Sequence, residues 1–65
     1  MTRLTRIRAL ELVALDRLDT EPTCPQTLAA IERLSAAEDL ILLGADGLGI
    51  DELVASACLH LWGAL

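Results

Sequence analysis

The apolar positions of this chain fall into three blocks separated by two breaks, and only two of the blocks show a clear period. From Pro25 to about Ala36, Leu28, Ile31 and Leu34 recur every three residues, with Glu32 and Arg33 left for water, which predicts a helix with one apolar face. Its start is marked by the loop Asp19–Pro25, by Pro25 in a first helical turn, and by Thr23 and Gln26 at capping-box spacing. From about Ile50, the residues Ile50, Val54, Ala57, Leu61 and Ala64 alternate spacings of four and three, the seam of a second helix. Leu59 and Trp62 lie off that seam. Both sides of the helix then need cover, and Leu53, Val54, Ala57, Leu61 and Trp62 become candidates for an interface with another chain. A short strand over "CLHLWGAL" is the competing reading of the end.

The other segments are ambiguous. Wound as a helix, "IRALELVALDRL" sets Arg8 and Glu11 between Leu4, Leu15 and Leu18, and no clean stripe forms; as a strand, Ala9 to Leu15 is one apolar run broken by Glu11. Leu40 to Leu43 poses the same question before the turn "GADG". Ser35 and Glu38 have capping spacing for a fresh helix that Gly44 would end, whereas a four-residue apolar run into a glycine-rich turn is typical of a central parallel strand. Taking the strand in both places gives a small α/β fold: a βαβα unit with a right-handed crossover and a short parallel sheet completed by oligomerisation. The alternative is all-α, with three to four short helices.

Composition narrows the function. The 65 residues allow one domain, which buries only ~60% of the surface its unfolded chain exposes. Yet 54% of the residues are hydrophobic, with one Trp and no Phe or Tyr. That is more apolar surface than so small a monomer hides, so a homo- or hetero-oligomer is expected. The net charge of −5 and pI near 4.5 argue against direct nucleic-acid binding. The charge is uneven: Arg3, Arg6 and Arg8 open the chain, and no Lys or Arg follows Arg33. Glu11 and Asp16 dilute any basic targeting helix at the start. No apolar run reaches the ~18 residues of a membrane span, and no signal peptide is read. Cys24 and Cys58 then read as reduced thiols of a cytoplasmic protein.

Motifs for chemistry are thin. Glu52, Ser56 and His60 stand one above another at steps of four, but so does the polar face of any amphipathic helix, and no oxyanion hole accompanies them. Cys58 and His60 point to different sides of a helix, and too few soft ligands remain for zinc. "GADGLG" lacks the spacing of a phosphate loop, carries Asp46 and Asp51 against an anion, and does not fit a calcium loop. Cys24, between prolines at a predicted helix start, is a possible reactive thiol. The expectation is a protein that is not an enzyme and has neither metal nor cofactor.

Two resemblances bear on this picture. In Thr27 to Leu48, the positions Arg33, Leu34, Asp39, Leu40 to Leu43, Asp46, Gly47 and Leu48 resemble the first helix and second strand of the DsrH/TusB proteins among the DsrE-like sulfur-relay families. With the upstream "LVALDRLDTEP" corresponding to the family's short first strand and its Pro-containing loop, the resemblance covers about half of the chain, which departs by an insertion and lacks the family's His-Thr. It implies a flavodoxin-like, non-catalytic subunit of a complex that passes persulfide sulfur toward tRNA thiolation or sulfur oxidation. No cysteine here matches a sulfur-carrying position of that family. "LGADGLGIDELV" is similar to the acyl carrier protein signature at Leu43, Gly44, Ala45, Asp46, Leu48, Glu52, Leu53 and Val54. The serine that would carry phosphopantetheine is Gly47 here, which implies a non-carrying, all-α relative.

Overall fold

The computed structural model describes residues 2–45 and 47–63 and contains three α-helices: α1 (Arg3–Thr20), α2 (Pro25–Leu42) and α3 (Gly47–Trp62). There is no strand among the described residues. The α/β expectation is therefore corrected to the all-α alternative. Ala9–Leu15 lies inside α1, and Leu40–Leu42 form the last turn of α2 rather than a strand. The physical reason is propensity. Leu, Ala, Glu and Arg are strong helix formers, and neither segment contains a glycine or proline to interrupt it. The helix expected to stop near Ala36 runs on to Leu42 for the same reason, and no new helix starts at Ser35.

The helix ends follow local chemistry. Thr2 caps α1, its Oγ1 accepting from the Thr5 N–H at 3.1 Å. Between α1 and α2 the chain turns through Pro22, with the Cys24 N–H donating to the Glu21 carbonyl at 3.2 Å. Cys24, not Thr23, is the N-cap of α2, and Pro25 takes the first helical position, where its missing N–H costs nothing. Gly44, at φ +76°, ends α2 in a Schellman motif. Its N–H donates to the Ile41 carbonyl at 3.1 Å, and the Ala45 N–H to the Leu40 carbonyl at 2.9 Å. Helix α3 starts at Gly47, three residues before the expected Ile50, and is helical through Trp62, which replaces the strand alternative there; Ala64 of the proposed seam lies outside the described residues.

The three helices form an up-down-up bundle of 34 × 19 × 19 Å. Arg3 meets Asp51 at one end and Arg17 meets Leu61 at the other, so α1 and α3 run parallel; His60 meets Gln26, so α2 runs opposite to both. Each helix turns one seam inward: Ile7 and Ala14 from α1, Thr27, Ala30, Leu34 and Ala37 from α2, and Ile50, Val54, Ala57 and Leu61 from α3. Within each helix these fall at heptad spacings of three, four or seven. Four of the buried residues are alanines, which let the helix axes approach closely. The shared surface is largest between α2 and α3. Leu40 and Ile41 lean on this core, whereas Leu42 and Leu43 face water. Under the strand reading, Leu42→Asp would bury a carboxylate and destroy the fold. In the helical bundle the expected result is a folded variant with an unchanged helical circular dichroism spectrum, and loss of that spectrum would show that Leu42 is buried.

Candidate interaction surface

The residues singled out for an interface separate into two groups. Val54, Ala57 and Leu61 are buried in the chain's own core, and Leu53 packs beside them half-buried. Trp62 is different. It stands half in solvent at the end of α3, with the Arg17 guanidinium carbon 5.6 Å from its ring centroid. The same guanidinium donates to the Leu61 carbonyl, one of the carbonyls that the end of α3 leaves without a helical partner. The seam of α3 thus finds cover within this chain, and the apolar surface left over lies elsewhere.

Its most exposed leucines lie in two regions, with Leu28 and Leu59 outside them. On α1, Leu12 and Leu15 are 69% and 55% exposed, with Val13 beside them. At the α2–α3 turn, Leu42, Leu43 and Leu48 are 81%, 81% and 75% exposed. Sequence inspection missed both, because apolar residues in a predicted element are assigned to its inner face by default. The α1 surface has a counterpart on the inside. Glu11, next to Leu12, is half-buried, and its Oε1 is cut off from water without a hydrogen-bond partner. The helix therefore turns a carboxylate toward the bundle and leucines toward solvent, an arrangement that costs free energy on both sides.

Charge gathers at the other end of the outer surface. An open cleft of about 790 Å³ runs between the start of α1 and the α2–α3 turn, with Leu4, Ile41 and Ile50 as apolar lining and Arg3 and Arg6 as basic lining. Arg3 grips Asp51 in a fork, Nε to Oδ1 at 3.0 Å and Nη2 to Oδ2 at 3.3 Å. Those hydrogen bonds, with the Arg3 and Arg6 charges and against desolvation, hold the Asp51 carboxyl below its ordinary range, and the same hydrogen bonds with the negative charge of Asp51 raise the Arg3 guanidinium further. Both groups are well exposed, so the pair orients the ends of α1 and α3 more than it stabilises them. Gly47 makes room for it, since a Cβ there would collide with the Arg3 guanidinium. Gly47, where the acyl carrier signature has serine, is the first residue of α3 and offers no hydroxyl.

Catalytic groupings do not assemble. His60 bonds through Nδ1 to the Gln26 amide oxygen at 2.6 Å, across to α2 instead of along α3 to Ser56. Among the described residues no three His, Cys, Asp or Glu side chains come together as a metal site would require. Cys24 sits half-buried at the N-cap of α2, in a small hollow lined by Arg17, Thr20, Glu21 and Thr27. Its thiol is outside capping geometry, yet the Thr27 hydroxyl, and after it the Thr27 and Gln26 amides, favour the thiolate and lower the thiol's pKa; desolvation and the Glu21 carboxylate act against them. In a Cys58→Ser background, the thiolate absorbance of Cys24 is expected to titrate at lower pH in the folded than in the urea-unfolded chain. Coincident titrations would show that the N-cap position leaves the thiol unperturbed.

Comparison with known protein families, with characterised proteins and with solved structures finds no match to this chain. No helix among the described residues is long and apolar enough to cross a membrane.

Proposed function

We propose that this chain is an all-α interaction module that works by self-association and carries no catalytic chemistry of its own. The observation that supports it is the placement of large apolar side chains: among the described residues of this 65-residue chain, five leucines are more than half exposed while the core takes up mostly small side chains. The subunit role in sulfur relay implied by the DsrH/TusB resemblance also depends on contacts between subunits. It further implies a sheet with a crossover, where this chain has a helical bundle, so the all-α reading is the one carried forward.

Sedimentation equilibrium over a micromolar dilution series is expected to show a reversible multimer of the 7.0 kDa chain. A single 7.0 kDa species throughout the series would sink the proposal. Cys24→Ser is expected to leave that equilibrium unchanged, because Cys24 lines a hollow of its own, apart from the exposed leucines. A shift toward monomer in the Ser variant would place the thiol at the contact.

A further inference from the structure

Resting on the proposal of self-association, we infer that the contact is formed by the outer face of α1 against α1 of a second copy, antiparallel and about a two-fold axis near Leu12. Arg8, Leu12, Leu15 and Asp19 recur at steps of four, three and four and are all exposed, so they form one stripe along the helix, with Asp16 at its edge. The stripe is basic at its start, apolar in the middle and acidic at its end. Such a stripe is complementary to itself when reversed, which is what an isologous contact requires.

The register follows from the spacing. With the axis through Leu12, each Arg8 stands opposite Asp16 of the second copy, and Leu12 meets Leu12. With the axis between Val13 and Ala14, Arg8 stands opposite Asp19 and Leu12 opposite Leu15. Either way each arginine meets an acid around a leucine centre. A parallel pairing would set Arg8 against Arg8 and the acids against one another, and is disfavoured. The inverted helix becomes intelligible in the same arrangement. Glu11 occupies a position on the weaker inner contact of α1, while Leu12 and Leu15 gain cover from the second copy. The leucines at the α2–α3 turn have no such charge pattern on their own segment: Asp39 precedes Leu42 and Leu43, and no Lys or Arg lies beyond Arg33.

Charge reversal tests this without touching the core. Arg8→Asp sets acid against acid across the contact, and the double variant Asp16→Arg/Asp19→Arg sets base against base. Each alone is expected to raise the dissociation constant roughly tenfold or more with its helical spectrum unchanged. An equimolar mixture of the two is expected to regain association as a hetero-pair, since each reversed arginine then faces reversed acids. Variants that self-associate like the parent, or a mixture that stays dissociated, would overturn this inference. The proposal of self-association would survive that result, with the turn leucines as its seat. A parent chain that is monomeric throughout would overturn both.

Discussion

Leu34→Ala is expected to remove a large share of the fold's stability. Leu34 has no exposure to water and, with Ile7, is one of the two largest fully buried side chains. It sits in the middle of α2, the helix that packs on both others, and two of the other three buried side chains described on that helix, Ala30 and Ala37, are alanines too small to relax into the space left behind. A buried Leu→Ala change costs about 2–5 kcal/mol, transfer and cavity terms together. A domain of this size has roughly 3–10 kcal/mol of stability in all. The loss therefore removes a large share of the total, and it also weakens any association that depends on folded chains. Urea titration followed by circular dichroism measures it. A variant with a cooperative transition shifted by less than about 1 kcal/mol would show that the core repacks around the missing side chain.

Glu11→Leu is expected to act in the opposite direction and raise the melting temperature. One oxygen of Glu11 is sequestered without a donor, which costs about 1–3 kcal/mol relative to a satisfied group, more if the carboxylate stays charged. Leucine is close in size, removes that penalty and adds apolar burial on the inner side of α1, where Ile7 and Ala14 are the fully buried residues. For a domain this small, 1 kcal/mol corresponds to about 4–8 °C. Glu11→Ala separates the two contributions, since it removes the unpaired oxygen without refilling its space and should gain less than leucine. A lower melting temperature for Glu11→Leu, measured at fixed protein concentration, would mean that Glu11 has a stabilising polar partner after all.

The seam of α3 was legible in the residues themselves, because Ile50, Val54, Ala57 and Leu61 repeat at the helical period whatever surrounds them; of the face expected for α2 only Leu34 is buried, while Leu28 is 44% exposed, Ile31 is half-buried, and Thr27, Ala30 and Ala37 turn inward instead. Pro25 likewise acts locally by supplying a helical φ, so the start of α2 is written in the chain; its stop at Gly44, where φ is positive, was expected only for a separate helix beginning at Ser35. Leu40 to Leu43 could not be read this way. Four apolar residues are too few to distinguish a period of two from one of 3.6, and the choice fell to the helix they extend. The orientation of α1 was also beyond the sequence. That helix is apolar on nearly every side from Ala9 to Leu15, so several faces compete for the core. Contacts far apart in the chain, Arg3 with Asp51 and Arg17 with the end of α3, go with the face that turns inward, together with the close approach that Ala14, Ala30, Ala37 and Ala57 permit. Local propensity determined three helices and most of their limits. Only packing between them decided that Glu11 would point in and Leu12 and Leu15 out, because that choice depends on the summed fit of all three helices and no single segment carries it.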